Sequence, residues 1–471
     1  MANAVNSEKL SAKDARFREF ALNGNMWKVV LYVCVPLAAF QFFQHMFNIL
    51  DTMMASYVSS VAVSAVAYLS QIQSMISAVG SGLAVGSSLK ISEAYGAGDY
   101  ALVKKRLSTL IAICIILGII VLSSIPFTPL FLRTLGTPEE FIEIGSRYFV
   151  ITIFATVLGF FNSVYIAIER ARGKSGRILR LNMVVIVLKL SITAFFIYGL
   201  SAGITMIAVA SVISQGFLFI MALYNLLRGD NAFTFRFSSI SFKKHILAPM
   251  LSLSFPVIIE KVAFAMGKTV INSMSKNYGS VTVGALGISN NINGSTTQLQ
   301  NGFQDGGAAI ISQNRGAGNI ARALDAFKKL LVINTLIGLV GYILLNVFIY
   351  PITYLFANST GGFNSEFQQI IIHIYRYDSF GSCVPLGIYA SVMALLFGFG
   401  KTKLTLLCNF CRVFVFRIPV LWALQNFTDL GSESVGIVMG VSNILCMLMS
   451  VVVAWIVIKY VKSSQNVKNM V

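Results

Sequence analysis

The sequence predicts an all-α polytopic membrane protein of twelve transmembrane helices arranged as two parallel six-helix repeats. Three observations predict it. Of 471 residues, 56% are hydrophobic and only 11% are charged, against about 25% charged in soluble domains, and the mean hydropathy is +0.76. Between Lys28 and Lys90 the only formal charge is Asp51, which leaves room for two crossings of about 20 apolar residues each. The chain also repeats itself: a shift of 220 residues lays Pro36 on Pro256 and segment 63–98 on 283–318. This composition excludes a nucleic-acid-binding domain, a disordered chain and a disulfide scaffold.

Taken in order, the apolar runs of the first repeat fall at about 29–57, 61–88, 107–132, 141–168, 178–200 and 204–227. Those of the second fall at about 246–275, 280–311, 328–357, 366–397, 404–426 and 434–459. Each is long enough to span. Bases mark alternate connections: Lys9, Lys13, Arg16, Arg18 and Lys28 before the first span, Lys104, Lys105 and Arg106 after the second, and Arg170, Arg172, Lys174, Arg177 and Arg180 after the fourth. The series continues with Arg228, Arg236, Lys243 and Lys244 between the repeats and Arg315, Arg322, Lys328 and Lys329 after the eighth span. Lys401 and Lys403 follow the tenth, and Lys459 and Lys462 the last. The intervening connections hold few bases and carry Glu139, Glu140, Glu366, Asp429 and Glu433 instead; Lys276 is an exception. By the positive-inside rule both termini are expected in the cytoplasm of a plasma-membrane protein, and the +18 net charge needs no nucleic acid partner. The expected organisation is a cytoplasmic tail (1–27), an N-lobe (28–228), a cytoplasmic linker (229–244), a C-lobe (245–462) and a cytoplasmic tail (463–471). The first residues lack the apolar core and cleavage pattern of a signal peptide.

The repeat is specific. Ile91–Gly98 meets Ile311–Gly318, Gly82 and Gly86 meet Gly302 and Gly306, and about ten of 36 positions are identical. Six spans per unit give both halves the same orientation, the arrangement of transporters that rock two bundles about a central site. No catalytic constellation is visible, so no enzyme is expected. Gly173-Lys174-Ser175 and Gly400-Lys401-Thr402 mimic part of a nucleotide loop, but Ile168 and Leu395 stand where its first glycine belongs. Cys408 and Cys411 have metal-like spacing without a second pair or His nearby, so no metal or cofactor is expected.

Polar residues inside the spans are the candidate site, because a charge in hydrocarbon costs about 2.5–3.5 kcal/mol on insertion scales. Gln44, Asn48 and Asp51 share one helical face, with Gln41 a turn earlier. That stripe could hold a proton or sodium ion; the alternative is an acid at a helix end touching water. His45 beside it reads better as a bonded helix histidine than as a proton shuttle. Pro36 permits a bend there. In the eighth span Asn290, Asn293, Thr297, Gln300 and Gln304 form a polar stripe followed by Asp305, expected to face a cavity or another helix. Glu260 follows Pro256 by one turn, beside Lys261. Lys268 lies two turns beyond and could neutralise Asp305. Arg376 with Asp378, and Arg412 with Arg417, read as helix-end markers or inter-helix pairs.

These motifs resemble the multidrug and toxic compound extrusion (MATE) transporters. Pro36, Gln44, Phe47–Thr52, the stretch 81–88 and the turn 95–99 carry the likeness in the first half, with Phe196–Gly199 and Val212–Gln215. Val283–Gly287 through Gln313–Asn319 carries it in the second. The resemblance implies two six-helix lobes forming a V-shaped central cavity, and secondary-active export of amphiphilic organic compounds in exchange for H+ or Na+. Its partners would be small organic substrates and the bilayer, for a monomer without nucleic acid. Asp51 looks like that of the DinF-type branch. Where the family usually has Asn and Asp on the fifth span, this chain has Lys189 and Thr193, so Lys189 is a candidate switching partner for Asp51; the alternative is a snorkelling lysine. Glu260 resembles an acid of the NorM branch, but Leu386 stands where that branch has a tenth-span acid. The wider superfamily also offers an alternative function, a flippase for a lipid-linked sugar or another lipid.

Overall fold

The computed structural model describes residues 10–55, 60–134, 139–203, 205–228, 231–359 and 362–470; the side chains of 51–68 lie outside the described residues. The first helix was expected to be tail. Helix α1 (Ala12–Asn23) forms because Ser11 caps it, its hydroxyl accepting from the Asp14 amide at 3.2 Å. The first repeat then runs α2 (Met26–Ala55), α3 (Ser60–Ala97), α4 (Tyr100–Ser123), α5 (Thr128–Thr134), α6 (Glu139–Ala171), α7 (Ser175–Ala194) and α8 (Thr205–Leu227). The second runs α9 (Lys244–Ser275), α10 (Ser280–Gly316), α11 (Ile320–Val347), α12 (Ile349–Ala357), α13 (Ser365–Ser382), α14 (Val384–Gly398), α15 (Thr402–Phe410), α16 (Ile418–Phe427) and α17 (Glu433–Met470). A two-stranded hairpin, Asn358–Ser359 with Gly362–Phe363, joins α12 to α13.

Among the described residues, eleven segments are long and apolar enough to cross a membrane. The expected eighth span, α10, has the length, 37 residues, but not the hydropathy. Its Ser289, Asn293 and Gln300 side chains are instead bonded to neighbouring helices, which is what lets such a helix sit among apolar ones. The tenth span divides at Cys383 into α13 and α14, with Pro385 at the start of the second piece. The fifth and eleventh spans each contain a π-helical turn, Phe195–Gly199 and Cys411–Val415. Gly173 and Gly400 adopt φ of 73° and 69°, so the two Gly-Lys-Ser/Thr tripeptides are left-handed turns between helices, not nucleotide loops.

The contacts group the chain into two compact units. One holds Met1–Asn25, Phe43–Val262 and Ser312–Asn319; the other holds Met26–Phe42, Ala263–Ile311 and Ile320–Val471. In the first, Leu83, Ile91, Tyr95, Leu107, Phe160 and Tyr165 share a buried core. In the second, Ile271, Leu286, Ile371, Tyr375, Leu421 and Val438 do the same.

Inside each unit the second helix of one repeat packs on the first helix of the other. Gly82 and Gly86 of α3 lie against Ile258 and Ser254 of α9, where an added Cβ would meet the Cα atoms at 2.8 and 2.4 Å. Gly302 and Gly306 of α10 lie against Ala38 and Cys34 of α2, at 2.3 and 3.2 Å. Positions 254 and 258 are the repeat equivalents of 34 and 38. The matched glycines visible in the sequence are therefore matched close approaches. A third pair closes the first unit: a Cβ on Gly96 would lie 2.0 Å from the Gln313 carbonyl oxygen, and one on Gly316 would lie 2.0 Å from that of Glu93. Ser312 Oγ donates to the Leu89 carbonyl at 2.8 Å beside this crossing.

Candidate functional site

At the end of the spans that carries the basic loops, α1 is tied into the first unit by a buried ionic cluster. Asp14 is fully buried and accepts from Arg172 Nη2 at 2.9 Å and Nε at 3.2 Å, with Lys174 Nζ at 3.0 Å. Arg172 also donates to Glu169 at 3.0 Å, and Arg177 reaches the other Glu169 oxygen at 3.2 Å. Burial alone would raise the Asp14 carboxyl; Arg172, by charge and by hydrogen bond, with Ser11 and Lys174 behind it, holds it below the usual carboxylate range. The Tyr95 hydroxyl donates to the Asp14 carbonyl, and Arg18 donates to the carbonyls of Tyr95 and Gly96 at 3.0 and 2.8 Å. The Arg172 guanidinium lies 4.9 Å from the Phe233 ring centre. Gln313 Nε2 donates to the Ala171 carbonyl at 2.6 Å, so the end of α10 joins the same cluster.

Of the predicted residues in the first repeat, Pro36 lies inside α2, and Gln44 and Asn48 are exposed further along it. Asp51 is on the last turn of α2, but its side chain lies outside the described residues. Lys189 is half-buried on α7. Thr193, one turn on, is fully buried, and its hydroxyl has no hydrogen-bond partner among the described residues. It sits just before the π-helical turn at Phe195.

The second repeat holds a polar network that the sequence reading missed. Asp378, on α13, is 1% exposed and accepts from Ser289 at 3.2 Å, Asn293 at 2.9 Å and Ser382 at 2.5 Å. Ser382 in turn accepts from Asn443 Nδ2 at 3.0 Å. The Asn443 carbonyl receives Arg412 Nε and Arg417 Nη2, both at 2.9 Å, and Arg417 Nε donates to Ser442 at 3.0 Å. Arg417 is 3% exposed. Of the two readings of Arg376–Asp378 and Arg412–Arg417, the helix-end one is corrected for all but Arg376. The inter-helix one holds, with Ser289, Asn293, Ser442 and Asn443 as the partners rather than one another. Arg376 is exposed beside the Tyr350 hydroxyl, whereas Asp378, Arg412 and Arg417 sit deep in their spans. The tenth span has an acid after all, two turns before Leu386. The signal was present: an ionisable residue mid-span with Ser four residues later.

Of the eighth-span stripe, Asn293 bonds Asp378, and Gln300 Nε2 donates to the carbonyls of Cys383 at 2.7 Å and Asn334 at 3.3 Å. Both are buried, and Gln300 Oε1 has no partner among the described residues. Gln304 and Asp305 are half-buried; Asp305 acts on Cys34. Lys268 makes no ion pair with it among the described residues; the charges that act on Lys268 are Arg417 and Arg412. Glu260 is buried on α9 one turn after Pro256, a proline inside that helix.

Known proteins place this architecture. The model of the MatE family matches residues 36–195 and 256–423, two segments whose starts differ by the repeat shift. The chain is 24% identical over 429 residues to the probable multidrug resistance protein YoeA of Bacillus subtilis (strain 168), covering 88% of this chain and 90% of that one. It is 20% identical over 414 residues to the probable multidrug resistance protein NorM of Thermotoga maritima, covering 86% and 87%. A crystal structure of MATE in complex with MaL6 superposes with a TM-score of 0.90 at 19% identity, over 96% of this chain and all of that one.

Proposed function

The chain belongs to the MatE family, and from that premise we propose that it expels amphiphilic organic compounds across the plasma membrane by antiport, in exchange for H+ or Na+. It is a membrane-embedded transporter of the multidrug-efflux type. In this reading it works as a monomer with both termini in the cytoplasm, and no cofactor beyond the coupling ion.

The observation that carries the proposal is the duplicated crossing. Two related helices, α3 and α10, pass each other at equivalent glycines, and each packs on the other repeat's first helix. Equivalent contacts in two parallel repeats let one side open as the other closes, the requirement of alternating access. Asp51 is the proposed coupling acid, on the Gln44–Asn48 face of α2. An ion that binds a carboxylate in one state and leaves it in the other shifts the equilibrium only by its differential affinity. Lys189 is the proposed competitor for Asp51, replacing the coupling ion in one state.

Drug susceptibility in a host lacking its own pumps tests this. The wild-type chain is expected to protect and Asp51→Asn is not; protection by both or by neither, or altered envelope lipid without protection, contradicts it.

A further inference from the structure

We propose that Lys268, Arg412 and Arg417 form a cationic subsite in the second repeat that takes an anionic group of the cargo: a carboxylate, sulfonate or phosphate on an amphiphile. The inference rests on the exporter reading and adds the charge of what is exported.

Arg412 shares the Asn443 oxygen with Arg417 and faces the Phe264 ring, one helical turn before Lys268 on α9. The three cations therefore lie within electrostatic range of one another; among the described residues the carboxylate that acts on Arg417 is Asp378. Asp378 touches none of them; it reaches the arginines only through Ser382 and Asn443. Three positive charges against one negative leave an excess of two. Like charges gathered in a medium of low dielectric repel strongly, so something must hold them. The fold supplies part of this. Arg412 is set between two rings, 5.5 Å from the Phe264 centre and 5.8 Å from that of Tyr389, and shares the Asn443 oxygen with Arg417. It projects from the π-helical turn Cys411–Val415, a distortion frequent at functional sites.

The donors left over define the ligand. Arg412 spends only Nε on the protein, so its two terminal nitrogens find no acceptor among the described residues. Lys268 likewise has no ion pair or hydrogen bond there. A guanidinium edge beside an ammonium suits a planar or tetrahedral oxyanion, which can accept from both. Lys268 is exposed, yet lies only about 10 Å along α9 from the midpoint of its span. The charges that act on it are arginines near the midpoint of the eleventh span, and an exposed charge at that depth belongs in water, not hydrocarbon.

Proteoliposomes given an imposed pH or sodium gradient test the subsite with three probes: radiolabelled taurocholate, tetraphenylphosphonium and NBD-labelled phosphatidylglycerol. The wild-type protein is expected to move taurocholate. Lys268→Gln, at an exposed position, should slow it by about tenfold or more, the loss of one charge-assisted contact, while leaving tetraphenylphosphonium unchanged. Arg412→Gln should do the same, and Lys268→Glu should turn the preference toward the cation. Lys268-dependent movement of phosphatidylglycerol alone would support the subsite with a lipid headgroup as its anion. Movement of tetraphenylphosphonium alone would overturn the inference and leave the exporter standing. Taurocholate transport untouched by Lys268→Gln and Arg412→Gln would also overturn it, and movement of no probe would overturn both.

Discussion

Adding one methyl group at Gly96 or Gly316 should loosen the crossing of α3 and α10 by a computable amount. The Cβ of Gly96→Ala would lie 2.0 Å from the Gln313 carbonyl oxygen, where real Cβ atoms essentially never come closer than 3.0 Å. The obstacle is backbone, so no side chain can swing away and the helices must part by about 1 Å. Overpacking of this kind costs about 1–3 kcal/mol, a factor of roughly 5 to 150 in the population of the closed crossing. Gly316→Ala meets the Glu93 carbonyl at the same 2.0 Å and should lose the same amount. Once the helices have parted for one methyl, the second is accommodated, so the double variant should cost less than the sum of the two. Thermal unfolding of the purified protein in detergent reads this, with Gly159→Ala as control, since nothing lies within 4 Å of its added Cβ. Gly96→Ala as stable as the control, or a fully additive double variant, would refute the reasoning.

Other outcomes follow from the same contacts. Arg172→Ala leaves buried Asp14 with Lys174 and Ser11 alone and Glu169 with Arg177 alone and should cost about 1.5–3 kcal/mol. Arg180→Ala, at an exposed position, should stay within about 0.5 kcal/mol; denaturant titration compares them. Because the Asp14 carboxyl is held below its free value of 3.8, its stabilisation is full above that pH and is lost as pH falls through the lowered value. Protease cleavage within 12–23 should therefore begin only below about pH 4, and Asp14→Asn should bring it on at neutral pH. Asn443→Ala removes the acceptor shared by Arg412 and Arg417 and should destabilise by about 1–3 kcal/mol, seen in the same unfolding assay. Lys189→Asn should shift the pH dependence of efflux without changing stability; an unchanged profile would remove Lys189 from coupling.

Much of the fold was legible because hydrocarbon enforces it: long apolar runs, basic loops in alternation and a 220-residue echo left little choice of architecture. The echo even marked Gly82, Gly86 and Gly96 with their partners, although only coordinates show that each faces the other repeat. The eighth span reads as an apolar run long enough to cross, yet its hydropathy falls short; its polar groups bond Asp378, Cys383 and Asn334 instead of facing lipid. Asp378, Arg412 and Arg417 were undervalued for the opposite reason. Their acceptors, Ser382 and Asn443, lie on other turns or helices, and no spacing rule links position 443 to 412 and 417. Helix α1 was hidden in a polar segment too short to be stable alone; its order comes from Arg172, more than 150 residues away in sequence.

The most direct trial of ion-driven export is substrate efflux from proteoliposomes under an inward H+ gradient and, separately, an inward Na+ gradient, for the wild-type protein and Asp51→Asn. The account predicts efflux under one of the two gradients and its loss in the variant at unchanged folding. Efflux that ignores both gradients, or that persists undiminished without the Asp51 carboxylate, would contradict it.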